Sequence, residues 1–271
     1  MAMLNEIRGL AEYEAKAVTS SPRDWMKYLD TAAKLYRYSF PDALLIHAQR
    51  PDATACASLE LWNEKMNRWV NRGAKGIALI DDTGPTRRLR YVFDISDTHM
   101  GRGGRTPNLW RIEAAQKGAV LDHLADVYGL SEVDAADLPF ALSEISRQLT
   151  EENLEEAMEG LLYETEGTFL EGLDEDTIRV EFRRLLMNSA FYTLAVRCGL
   201  DQSVIFCGQF NTYLSFSFPA PTFSLNPTLP LYLLGANRTI LRYARAGDIF
   251  NTAHRTVFSG QRCPPLCGCD M

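Results

Sequence analysis

The chain has 271 residues, 46% of them hydrophobic and 23% charged, the balance of a globular protein long enough for one large domain or two smaller ones. No apolar run approaches the roughly 20 residues of a membrane helix, and the start lacks the basic-then-apolar order of a signal peptide, so a cytoplasmic protein with reduced cysteines is expected. The net charge of −7 hides three unlike stretches: 16 Lys and Arg against 13 Asp and Glu over 1–110, 7 against 19 over 111–200, and 5 against 3 over 201–271. Polyanion binding follows the local field, so only the first stretch is expected to face nucleic acid.

Two helices open the chain. Ser21, Pro22 and Asp24 make a start signal for the second, a hydroxyl cap with proline and an acid in the first turn. Trp25, Tyr28, Leu29, Ala32, Leu35 and Tyr36 then recur at helical spacing. "FPDALLIHAQRP" predicts a third helix stopped by Pro51. "SLELWNEKMNRW" predicts a fourth, with Leu59, Trp62, Met66 and Trp69 on one face. The period then changes. "GIALI" (Gly76 to Ile80) is an apolar run of strand length, and "LRYVFDI" alternates, with Leu89, Tyr91, Phe93 and Ile95 on one side. Tyr91 is expected to be buried with Phe93. "DDTGPTRR" between them holds a Gly-Pro turn, so a hairpin is expected.

From Arg111 to Gly199 the pattern is helical. "AVLDHLADVYGL" has a glycine stop at Gly129. A helix is expected from about Thr150, with Glu151 and Glu152 in its first turn. Another runs from Asp174 to Cys198, striped by Ile178, Phe182, Leu185, Ser189, Tyr192 and Val196. After Asp201 the composition shifts: the last lysine is Lys117 and the last glutamate Glu181, while six of twelve prolines and seven of thirteen phenylalanines follow residue 200. This irregular tail, 201–271, does not look co-designed with the rest, and a frameshift or rearrangement is its most economical explanation.

"NRWVNRGAKGIALID" (Asn67 to Asp81) poses the functional question. A Walker loop needs Gly-x-x-x-x-Gly-Lys-Ser/Thr between a strand and a helix, whereas "RGAKG" precedes a strand and no hydroxyl follows its lysine. "GRGG" (Gly101 to Gly104) lacks the strand-then-helix context of a dinucleotide fingerprint. Cys263, Cys267 and Cys269 with His254 fall short of paired zinc knuckles, so no metal or cofactor is expected. The acids of 111–200 read as a solvated helical face. No catalytic set can be named, and the chain is not expected to be an enzyme.

Basic and aromatic residues interleave over the first 110 residues, as a single-strand-binding groove requires. Tyr38 follows Arg37, and Trp69 follows Arg68. Arg72 and Lys75 flank glycines that permit close backbone approach. Arg87 and Arg88 precede Arg90 and Tyr91. Trp62 is in phase with core positions, while Trp69 suits either core or a stacking face. Arg102 and Arg105 suit either a phosphate clamp or plain surface.

"YSFPDALLIHAQRPDATACASLELWNEKMNRWVNRGAKGIALID" followed by "RLRYVFDISDT" resembles the ArdC-like N-terminal single-stranded-DNA-binding domain of antirestriction proteins and of large helicase- or methylase-like proteins of conjugative elements. The likeness rests on Ser39 and the Ala-Leu-Leu-Ile run, Gln49, the Arg50-Pro51-Asp52-Ala53 turn, Trp62, the Arg72-Gly73-x-Lys75-Gly76 turn, and the Phe93-Asp94-x-Ser96 strand end, over about residues 20–100. It implies DNA binding without base-specific readout. Asp42 departs from it, standing where related sequences often carry an amide, and neither a metalloprotease-like nor a helicase or methylase region is present.

The expected fold is α+β: a small antiparallel sheet packed with helices over 1–110, an acidic all-helical region over 111–200, and the irregular tail. The expected function is sequence-tolerant binding of single-stranded DNA by a truncated mobile-element protein, with other transfer proteins as further partners. Arg50, Arg68, Arg72, Lys75, Arg87, Arg88, Arg102 and Arg105 are expected at phosphate, and Tyr38 and Trp69 as stacking platforms. The alternative is an antirestriction or host-defence inhibitor acting through the acidic helices.

Overall fold

A computed structural model describes residues 3–107, 112, 114–163 and 170–200. The tail, with the His254 and cysteine set considered for zinc and the stretch read as a frameshift, lies outside the described residues. The fold is α+β, as expected. Helices α1 (Leu4–Val18), α2 (Pro22–Lys34) and α3 (Phe40–Gln49) come first. Five short strands follow: β1 (Cys56–Ala57), β2 (Arg68–Val70), β3 (Ile77–Asp81), β4 (Arg88–Asp94) and β5 (Thr98–Met100). Helices α4 (Lys117–Tyr128), α5 (Leu138–Tyr163) and α6 (Glu175–Arg197) complete it.

The helix starts are written in side chains. Ser21 Oγ accepts from Asp24 N at 3.2 Å to begin α2, and Asp174 Oδ1 accepts from Thr177 N at 2.9 Å to begin α6, each supplying an acceptor for an otherwise orphaned N–H. Gly129 ends α4 in the left-handed conformation, φ 60°, where a Cβ would be strained. The start expected near Thr150 is wrong by three turns. Asp137 Oδ1 accepts from Phe140 N at 2.9 Å, so α5 begins at Leu138, and Glu151 and Glu152 stand in its interior.

β3 and β4 form the expected antiparallel hairpin, with Ile77 opposite Val92 and Asp81 opposite Arg88, and β1 adds to the other side of β4. The free edge of β3 is covered by a side chain. Gln49 donates from Nε2 to Ala78 O and accepts at Oε1 from Ala78 N, both at 2.9 Å, completing backbone groups that an edge would leave unpaired. β2 and β5 pair separately as a two-stranded antiparallel ribbon, with Trp69 opposite His99.

The fourth helix expected through Trp69 is also corrected. A single π-helical turn spans Leu61–Lys65, and the chain then reverses at Asn67, whose φ of 48° is left-handed. Trp62 and Met66 are fully buried in a small cluster with Val70, Phe93 and Ile95. Trp62 Nε1 donates to Phe93 O at 2.9 Å, so that indole is core. Trp69 belongs to β2 instead.

Two larger clusters hold the molecule together. One lies between α1, α3 and the three-stranded sheet, around Ile46, Ala53, Ile77, Leu79 and Val92. The other joins Trp25, Tyr28 and Leu29 of α2 to Leu142 and Ile145 of α5 and to Phe191 and Tyr192 of α6. Trp25 Nε1 donates to Ser189 Oγ at 2.9 Å across this core. The division expected near residue 110 is therefore not a division of the core, because helices from both sides bury their apolar faces against one another. Among the described residues no helix is long and apolar enough to cross a membrane.

Candidate nucleic-acid interface

The β2–β5 ribbon organises the site. Alternation puts Asn67, Trp69 and Asn71 on one face of the first strand, with His99 and Gly101 beside them on the second. Trp69 is 49% exposed, an unusual position for an indole. A Cβ placed on Gly101 would stand 2.7 Å from Trp69 Nε1 and 2.9 Å from Asn67 O, so glycine lets the indole lie down on the backbone. His99 Nδ1 lies 2.7 Å from Asn71 Oδ1. The opposite face turns inward through Val70 and Thr98.

Because the ribbon is antiparallel, its two ends carry different segments. At one end Asn71 N donates to Asp97 O at 2.8 Å and Ala74 N to Asn71 O at 3.0 Å, forming the turn that presents Arg72 and Lys75. Gly73 there has φ 86°, a conformation that favours glycine. At the other end the Gly101–Arg105 loop folds back on Asn67. Gly101 N donates to Asn67 O at 2.9 Å, Arg105 N to Met66 O at 2.8 Å, and Asn67 Nδ2 to Arg102 O at 2.6 Å. Three residues of strand, about 10 Å, separate the ends. Arg72, Lys75, Arg102 and Arg105 are all exposed, and among the described residues none forms an ion pair.

The structure thus brings five of the expected residues together, Trp69 with Arg72, Lys75, Arg102 and Arg105. The others are placed differently. Arg68 is 8% exposed and turned inward, donating from Nε to Thr98 Oγ1 at 2.8 Å and from Nη2 to Thr98 O at 3.3 Å. Its neighbour in the strand points out, so period two sends Arg68 in. Arg50 donates to Ser96 Oγ at 2.9 Å and to Asp97 Oδ1 at 3.0 Å, with Asp52 at 3.3 Å. Tyr38 packs half-buried against the sheet core and its hydroxyl donates to Cys56 O at 2.8 Å; burial pushes its phenol pKa up.

Arg88 pairs with Asp81 at 2.8 Å. Hydrogen bonds from Thr83 and then Arg88 hold that carboxyl down to about 2. Arg87 is exposed at the hairpin tip, yet five residues of β3, about 17 Å, carry it away from Lys75. Asp42, the departure from the expected pattern, pairs with Arg90 at 2.6 Å. Burial raises the Asp42 pKa more than that pairing lowers it. Tyr91, expected in the core, is 39% exposed; the buried face of β4 is that of Val92 and Asp94. His99, Asn67 and Asn71 were not singled out from sequence. The signal was the alternation in "NRWVN" and "THMG", legible once those two segments are known to pair.

The ion pairs of these N-terminal cations are all with acids of the same stretch, so among the described residues the acidic helices do not neutralise them. Those helices are laced to each other instead: Arg183 pairs with Glu151, and Arg179 with both Glu155 and Glu175. Among the described residues no group of three or more His, Cys, Asp or Glu could hold a metal ion. No family model matches the chain, and neither curated proteins nor solved structures gave a match.

Proposed function

We propose that the protein binds single-stranded DNA without base-specific readout, on the outer face of the β2–β5 ribbon. The observation that carries this reading is the exposed Trp69 indole standing between two pairs of cations that no carboxylate among the described residues holds. An aromatic face stacks on any base, contributing about 1–3 kcal/mol, and cations on either side neutralise the connecting phosphates. Asn67, Asn71 and His99 border the indole with groups that bond water or base edges alike, which suits tolerance of sequence. The resemblance to ArdC-like N-terminal domains points to the same ligand, and to service in the transfer of mobile elements alongside other transfer proteins. No catalytic step belongs to this reading.

The test is a titration of the full chain into a labelled deoxythymidine oligomer, with an oligouridine and a DNA duplex of equal length as comparators. The single-stranded DNA is expected to bind best, and Trp69→Ala to weaken it by about 1–3 kcal/mol. Tighter binding to duplex, or an affinity indifferent to Trp69→Ala, overturns the assignment.

A further inference from the structure

Tyr91 is an exposed aromatic residue that the ribbon site does not use. It shares a face of β4 with Phe93, and Phe93, like Val70 of the ribbon, packs against the cluster of Trp62 and Met66. Tyr91 lies two residues further along, about 7 Å, and its ring emerges into solvent. Gly76 fixes where it emerges. A Cβ on Gly76 would stand 3.2 Å from both Tyr91 Cδ1 and Phe93 Cζ, so the Tyr91 ring lies against the backbone of the turn that carries Lys75. That turn also carries Arg72 and leads back along Asn71 to Trp69. Two exposed aromatics therefore adjoin this turn, Trp69 on the ribbon through Asn71 and Tyr91 on the sheet through its contact at Gly76.

We infer that Tyr91 is a second stacking residue of the site, so that the ligand is an unpaired strand whose phosphate crosses the Arg72–Lys75 turn with one base on Trp69 and a later one on Tyr91. This rests on the single-strand reading and narrows it. Bases stacked on two separate rings cannot remain paired or stacked on each other, which excludes duplex and sets a minimum ligand of about three nucleotides. It also gives the two glycines of the turn separate reasons: Gly73 supplies a left-handed backbone, and Gly76 supplies room for a ring.

The experiment has two arms on the full chain. Deoxythymidine oligomers of two to eight nucleotides are titrated into wild type, Trp69→Ala, Tyr91→Leu and Tyr91→Phe. Tyr91→Leu is expected to bind the longer oligomers about tenfold more weakly, the loss of one stacked base, and Tyr91→Phe to bind as wild type. In the second arm, an oligomer carrying 5-iododeoxyuridine is photocrosslinked to the wild-type chain and the adducts mapped, which needs no variant to fold. Adducts at both Trp69 and Tyr91 support the inference. Wild-type affinity in Tyr91→Leu, or adducts at Trp69 without any at Tyr91, overturns it while leaving the ribbon reading standing. Failure of the wild-type chain to bind any oligomer removes both.

Discussion

Asp94 is buried, and both of its carboxylate oxygens are fully occupied. Oδ1 accepts from Thr54 N at 2.8 Å and Ala55 N at 3.0 Å, and Oδ2 from Ser96 N at 2.9 Å and Ser96 Oγ at 2.6 Å. Burial pushes this carboxyl up, but the bonds from Ser96, Ala55 and Thr54 together outweigh it and leave its pKa below the ordinary value. A carboxylate with a depressed folded pKa adds stability above its unfolded value of about 3.9, and that stability is lost as pH falls through the folded value. Asp94→Asn turns an amide N–H₂ toward these donors and is expected to lower stability by about 2–3 kcal/mol at neutral pH. The difference from wild type should hold from pH 6 to about 4 and shrink in denaturant titrations carried below about 3.9, to roughly pH 2. A constant difference across that range would show that the charge is not what the bonds hold. At the same scale, paired and unpaired arginines should behave differently toward nucleic acid. Four unpaired cations at the ribbon predict a slope of log affinity against log salt near −3, at roughly −0.7 per phosphate. Arg72→Ala and Lys75→Ala should each reduce it, and Arg88→Ala, held by Asp81, should not; fluorescence anisotropy at four salt concentrations reads the slopes.

At the scale of elements, the ribbon shows how a helical period can mislead. Leu59, Trp62, Met66 and Trp69 fall on one helical face, yet only Trp62 and Met66 are buried there, while Leu59 is exposed and Trp69 pairs into a strand. Asn67, adopting a left-handed φ, ends the helical path. Asparagine tolerates that conformation better than most residues, and its Nδ2 bond to Arg102 O makes the reversal part of the loop opposite. The Gly101–Arg105 loop depends on this packing. A Cβ on Gly104 would come within 2.6 Å of Asn67 O and of Met100 Cγ, too close for backbone to yield. Gly104→Ala is therefore expected to cost about 1–3 kcal/mol and to weaken oligonucleotide binding by displacing Arg102 and Arg105, whereas Gly103→Ala, which meets no atom within 4 Å and suffers only at its φ of 75°, should cost about 1–2 kcal/mol. Thermal melting and the anisotropy titration together separate the two. Equal effects of both substitutions would mean that space around Asn67 is not the constraint.

For the whole molecule, the consequence is a core that ignores the charge boundary. Trp25 and Asp30 of α2 meet Ser189 and Tyr192 of α6 through bonds of 2.9 and 3.0 Å, although more than 150 residues separate them in sequence. Ser189→Ala would leave the buried Trp25 N–H without its acceptor, for an expected loss of about 1–3 kcal/mol. Since α2 also packs on α3, which clamps the sheet edge through Gln49, the loss should lower the melting of helices and sheet together. Amide exchange in α6 and in β3 is the measurement; acceleration confined to α6 would show two independently stable parts. The far ends of α5 and α6 form a satellite cluster around Leu154, Met158, Ile178 and Phe182, tied by the arginine–glutamate pairs, and are expected to open first.

The sequence by itself determined whatever is local or periodic. The cap at Ser21, the stop at Gly129, the apolar stripes of α2 and α6 and the β3–β4 hairpin all follow from patterns within their own segments, where side-chain spacing and backbone preference act directly. The tertiary structure alone decided which cations remain free, because Arg50, Arg68, Arg88 and Arg72 are the same residue type in the chain and differ only in what folding sets beside them. It also decided that Trp69 and Tyr91 face water, since a strand's alternation fixes two faces but only distant contacts choose which of them is covered.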